Sequence, residues 1–139
     1  MNEANYSELE DAYGFLFEPE LLEEIRQKAT FHSSKADKVI LDYGDDIKAM
    51  PLLIEGAIKI LRQDNNGDEL ALYYLERGDT CSMTVTCCLE KKKSGIRAIA
   101  ETDVRYITIP SENNKKWIQK YDSWMKYVFE SYNHRFDEL

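Results

Sequence analysis

Hydrophobic positions change their spacing twice along this chain. In the first thirty residues Leu9, Ala12, Tyr13 and Leu16 recur at intervals of three and four, and Leu21, Leu22 and Ile25 repeat the pattern after Pro19. That period predicts two short helices. Pro19 suits the first turn of the second helix, where its missing N–H costs nothing, and Glu20, Glu23 and Glu24 complement the positive end of the dipole. From about residue 37 the pattern turns to short β-branched and aromatic runs separated by turn residues: KVILDY, MPLLIE, AIKILRQ, ELALYYLE, IRAIAE and VRYITIP. Such runs predict strands. Gly44-Asp45-Asp46 and Glu55-Gly56 are turn signals, and Asn65-Asn66-Gly67-Asp68 predicts a hairpin whose Asn-Gly takes the positive φ angles of a primed turn. In IKILRQ, Ile58 and Ile60 alternate with Lys59 and Leu61, so burial is not one-sided. No helical stretch separates the strands, which argues for an antiparallel sandwich or barrel and against a parallel sheet.

The helical period returns after Pro110. Ser111 is a candidate cap for a short helix to Gln119, and Asp122 or Ser123 for a longer one. On the longer helix Trp124, Met125, Val128, Tyr132 and Phe136 share a broad face. It can pack on the barrel as an ordinary core-facing helix. Together with Trp117, Ile118, Tyr121, Tyr127 and Phe129, however, it offers more apolar surface than one stripe buries, which favours a second copy across a two-fold axis, a homodimer. The stripe still runs at Leu139 without Gly, Asn or Pro to close it, as in a chain cut inside a longer helix. The expected organisation is a helical segment over 1–36, a β-barrel over 37–110 and C-terminal helices over 111–139.

The size, 139 residues, allows one domain. The first ten residues lack the basic leader and apolar stretch of a signal peptide, and no apolar run is long enough to span a bilayer, so a cytoplasmic protein without membrane attachment is expected. A net charge of −8 disfavours direct contact with phosphate backbones, which relies on Lys and Arg displacing counterions. The histidines, His32 and His134, lie outside the strand region, so the histidine-rich metal site of a cupin cannot assemble. No Ser-His-Asp order, glycine-rich phosphate loop or HExxH motif appears, and no catalysis is expected.

The ordered series KVILDYGD, LLIEGAIKILRQDNNGDELALYYLERGD and AIAETDVRYITIP, followed by the helix from Ser123, resembles the sensor domain of the Crp/Fnr transcription regulators. The resemblance covers residues from about 20 to the chain end. It implies a cyclic-nucleotide-binding-like fold: a mainly β, antiparallel double-stranded β-helix or jelly-roll barrel with N-terminal helices and a long C-terminal dimerisation helix. It also implies that DNA is contacted only through a helix-turn-helix domain absent from this chain, and that Trp124, Met125, Val128, Tyr132 and Phe136 form the dimer seam.

The segment CSMTVTCCLEKKKSGIRAIAE stands where the family carries its effector loop, so the resemblance makes Cys81, Ser82, Met83, Ser94, Gly95, Ile96 and Arg97 effector-binding candidates. Members that bind cAMP have Gly-Glu near the start of the loop, for the ribose hydroxyl, and Arg-Ser or Arg-Thr near its end, for the phosphate. Here Ser82-Met83 and Ser94-Gly95 occupy those places. Losing the charged phosphate contact, worth about 1.5–3 kcal/mol, lowers affinity by about one to two orders of magnitude, so useful cAMP binding is not expected. In a rival alignment, with a longer loop, Arg97-Ala98 supplies the phosphate arginine, and Lys91, Lys92 and Lys93 are either additional cations or a solvated turn. The effector and any cofactor stay unidentified. Cys81, Cys87 and Cys88 are too few and too close for a disulfide framework. They pack as small apolar residues, or act as a thiol or metal redox sensor with help from the neighbouring lysines. A protein-interaction domain that has lost its ligand is a further alternative.

Overall fold

A computed structural model of the chain describes residues 1–81, 84 and 92–138, with side chains as far as Tyr132. Helices α1 (Glu3–Tyr13) and α2 (Pro19–Lys28) come first. Among the described residues seven strands follow: β1 (Thr30–Ser34), β2 (Val39–Leu41), β3 (Ala49–Glu55), β4 (Ile58–Gln63), β5 (Glu69–Leu75), β6 (Arg97–Ala100) and β7 (Val104–Pro110). Helices α3 (Ser111–Lys120) and α4 (Asp122–Glu138) complete the described chain. The Asn2 side chain caps α1 by accepting from the Asn5 N–H at 2.8 Å, and Pro19 opens α2 at a position that needs no donor.

All strand pairs are antiparallel, in two sheets ordered β1-β7-β3 and β2-β6-β4-β5. The near-continuous apolar runs of β3 and β7 follow from burial on both faces. Met50, Leu52, Ile54, Ile107 and Ile109 face the helices, where they join Leu9, Leu21, Ile25, Trp117 and Trp124 in one core. Leu53, Val104 and Tyr106 face the second sheet and meet Ile58, Ile60, Leu75, Ala98 and Ala100.

Several details depart from the sequence reading. The barrel begins before residue 37, because β1 pairs along its whole length with β7, from Thr30↔Thr108 to Ser34↔Val104. Three hydroxyl residues in TFHSS hide its alternation, and an edge strand tolerates them. The β4–β5 hairpin is present, but of its loop residues only Gly67 has positive φ (+84°), so it is not a primed two-residue turn. Instead the Asp64 carboxylate accepts from the backbone N–H groups of Asn66 (2.8 Å) and Asp68 (3.0 Å), which fixes a longer loop. A bulge between Ile60 and Leu61 explains why both are buried in β4. Ser111 lies inside α3 rather than capping it, and its hydroxyl donates to the Lys48 carbonyl at 3.0 Å.

The helices are fastened to one another by polar contacts at their ends. Glu24 of α2 accepts from the Tyr121 hydroxyl and from Lys120 (3.2 Å), and Ser123 donates to Glu18 at 2.6 Å. The Trp124 indole donates to Asn114 Oδ1 at 2.8 Å and meets Trp117 edge-on, with ring centroids 5.2 Å apart.

Candidate functional site

Between the two sheets lies a cavity of about 270 Å3. Ile40, Ile58, Ile60, Leu75 and Ala98 line it from one sheet. His32, Pro51, Tyr106 and Thr108 line it from the other, and Cys81 and Thr84 contribute from the segment after β5. Strand alternation explains the polar members. In β1, Phe31 turns to the helix side, where the Arg105 guanidinium lies 5.1 Å from its ring centroid, and so His32 turns inward. In β7, Ile107 and Ile109 take the helix side and leave Tyr106 and Thr108 inside. His32 Nε2 is 2.8 Å from Thr108 Oγ1, and its ring stacks on Tyr106 at 5.0 Å and 18°. Burial holds the His32 pKa below its ordinary value and raises that of Tyr106, so both are neutral at pH 7. The Tyr73 hydroxyl lies 3.3 Å from Cys81 Sγ. The described lining residues include no Asp, Glu, Lys or Arg.

The turn where the chain leaves β5 is clamped on several sides. Gly78 has φ +92°, and the Tyr127 hydroxyl of α4 donates to its carbonyl at 2.9 Å. The Tyr13 hydroxyl of α1 donates to the Leu53 carbonyl at 2.7 Å and to that of Asp79 at 3.4 Å. Burial pushes the Tyr13 phenol well above its usual pKa. Thr80 donates to the Pro51 carbonyl at 2.6 Å. The first residues of the segment are thereby tied to both helical layers and to β3.

The sequence-predicted residues separate. Cys81 is buried in the cavity wall. Ser94 is buried too, but its hydroxyl donates to the Ile96 carbonyl at 2.7 Å and accepts from the Ile96 N–H at 3.2 Å, so the turn consumes it. Gly95 is exposed, and Ile96 packs in the inter-sheet core. Arg97 is absent from the cavity lining: its Nε donates to Asp42 at 2.8 Å, its Nη1 to Glu69 at 2.6 Å, and its guanidinium lies 4.8 Å from the Tyr43 ring centroid. Two carboxylates already neutralise this guanidinium, and it is the next residue, Ala98, that faces the cavity. Lys93 pairs with Asp46 at 3.6 Å. Ser82, Met83, Cys87, Cys88 and Lys91 lie outside the described residues. Among the described residues no His/Cys/Asp/Glu cluster is arranged to hold a metal ion.

The dimer-seam set divides as well. Trp124 (0% exposed) and Val128 (5%) are buried against the chain's own core. Met125 (36%) and Phe129 (61%) are exposed four residues apart, Tyr132 is half-buried, and the Phe136 and His134 side chains lie outside those described. His32, which the sequence reading set outside the strands, lies in β1, and Tyr106 and Thr108 escaped that reading, although the alternation opposite Phe31, Ile107 and Ile109 carried the signal for all three.

Residues 31–121 match the cyclic nucleotide-binding domain. The chain belongs to that family. No curated protein matches it by sequence. Among solved structures, a protein described as a transcriptional regulator of the Crp/Fnr family from Eubacterium rectale superposes with TM-score 0.75 at 20% identity, over 90% of this chain and 58% of that one. The catabolite activator protein of Thermus thermophilus gives 0.71 at 20% identity, over 87% and 56%. The c-di-GMP-responsive global regulator CLP of Xanthomonas campestris gives 0.72 at 14%, over 86% and 59%. The chain thus spans under two thirds of each of these three proteins, and at such identities they share its fold. The two antiparallel sheets with flanking helices are the jelly roll of the cyclic nucleotide-binding domain, a regulatory and non-enzymatic fold. Among the described residues no helix is long and apolar enough to cross a membrane.

Proposed function

We propose that this cyclic nucleotide-binding domain is the effector-sensing and dimerising part of a Crp/Fnr-like transcription regulator whose effector is not cAMP. The engagement of Arg97 by Asp42 and Glu69, away from the cavity lining, carries this reading. A cyclic phosphate needs a cation free to pair with it. Ser94, at the place of the family's arginine, has a short hydroxyl already engaged within its own turn, and Arg97 is held by Asp42 and Glu69. Dimerisation through the exposed Met125–Phe129 edge of α4 fits the second apolar stripe of that helix. DNA contact belongs to a helix-turn-helix domain outside this chain, and the tie from Gly78 to Tyr127 offers a mechanical route from the cavity's loop to α4.

Calorimetric titration with cAMP and cGMP tests the reading. No saturable heat is expected up to millimolar nucleotide, and low-micromolar binding of either overturns it.

A further inference from the structure

We propose that the inter-sheet cavity takes a small, uncharged, largely apolar molecule of one or two rings, whose single hydrogen-bonding group is read by the His32–Thr108 pair. This deepens the sensor reading given above and rests on it. Size argues first: about 270 Å3 falls just under the 300–1,000 Å3 of pockets for drug-sized ligands, so the occupant is compact. Polarity argues next. Ile40, Ile58, Ile60 and Leu75 provide an apolar wall, against which an apolar ligand body gains most by leaving water.

The polar end is specific. His32 is neutral, and its Nε2 is engaged with Thr108 Oγ1 at 2.8 Å. Among the described residues its Nδ1 has no hydrogen-bond partner. If Nε2 accepts from the threonine, Nδ1–H is an unspent donor; if Nε2–H donates, Nδ1 is an unspent acceptor. Either tautomer leaves one polar valence on a ring that lines the cavity. The stacked His32 and Tyr106 rings, 5.0 Å apart, hold that imidazole in place. A polar valence of this kind favours a ligand that satisfies it.

The test titrates the 139-residue chain with indole, indole-3-carboxylate and cAMP by calorimetry, and repeats it on His32→Phe and Ala98→Leu. Indole is expected to bind saturably and the carboxylate at least tenfold more weakly. His32→Phe keeps the ring stack but removes the polar valence, and is expected to weaken indole about tenfold. Ala98→Leu fills the cavity from the opposite sheet and is expected to abolish binding, with thermal unfolding by circular dichroism reporting whether the variant folds. Should it not fold, His32→Phe decides. Equal or tighter binding of the carboxylate, no saturable indole binding, or unchanged indole affinity in His32→Phe each overturns this inference. Those failures with cAMP silent leave the sensor reading standing, whereas low-micromolar cAMP binding removes both.

Discussion

Gly56 shows how one residue fixes a turn that joins the sheets. Its φ is +89°, and a Cβ there would lie 2.3 Å from the Asp103 carbonyl oxygen and 2.7 Å from Thr102 Oγ1. Backbone cannot yield as a flexible side chain does, so Gly56→Ala combines left-handed strain with a clash. Gly67 has a similar φ, +84°, but open space around it. Gly56→Ala is therefore expected to lower stability by about 2–3 kcal/mol and Gly67→Ala by about 1 kcal/mol, compared by urea unfolding. His32 gives a pH signature at the same scale. Burial lowers its folded-state pKa below the unfolded value near 6.5, so on acidification the unfolded chain takes up the proton first. The stability of the neutral form is then full above pH 6.5 and declines as pH falls from there to the folded pKa. Urea midpoints for wild type minus His32→Phe should shrink between pH 7 and 5; a flat difference would show that the imidazole titrates alike in both states.

Among the elements, the clamp on the Gly78–Asp79 turn is the structural link between barrel and helices. Tyr13 and Tyr127 reach it from α1 and α4, with their own rings edge-on at 6.1 Å. Each Tyr→Phe change removes one hydroxyl donor from the turn and is expected to cost about 1 kcal/mol. Because the two hydroxyls bind one turn, the double variant should depart from additivity by about 0.5 kcal/mol or more in a double-mutant cycle. None of this clamp was readable in the sequence, since its partners are separated by 40 residues (Tyr13 to Leu53) and 49 (Tyr127 to Gly78). The elements themselves were largely readable. β7 carries the β-branched run that marks it, β3 and β4 carry apolar runs bounded by turn residues, and α1 and α2 show the helical period, with Pro19 opening α2. β1 escaped because its polar hydroxyls read as a loop, and the turn after β4 because Asp64, not a primed turn, organises it. On α4 the stripes Trp124–Val128 and Met125–Phe129 are both apolar, so periodicity alone could not say which one the barrel covers. The cavity was missed for a related reason: its polar end comes from β1 and β7, far in sequence from the loop that the family resemblance pointed to.

At the scale of the whole molecule, the uncovered stripe and the net charge work against each other. Phe129 is 61% exposed and Met125 36%, on a helix whose opposite side is already sealed by Trp124. Pairing two such helices about a two-fold axis buries both residues twice. Each copy, however, brings a net charge of −8, so association works against electrostatic repulsion between copies. Screening reduces that repulsion, since the Debye length falls from about 30 Å at 0.01 M ionic strength to about 8 Å at 0.15 M. A dimer held by the Met125–Phe129 edge should therefore tighten when salt is raised from low to physiological levels, the reverse of an interface held by ion pairs. Phe129→Glu places a charge on the apolar seam and should give monomers at tens of micromolar in sedimentation. Trp124→Phe should instead lower the unfolding midpoint and leave association unchanged, because that side chain is spent on its own core. If Trp124→Phe dissociates the dimer while Phe129→Glu leaves it intact, the seam runs along the other face of α4, and the helix must lift from the barrel to pair.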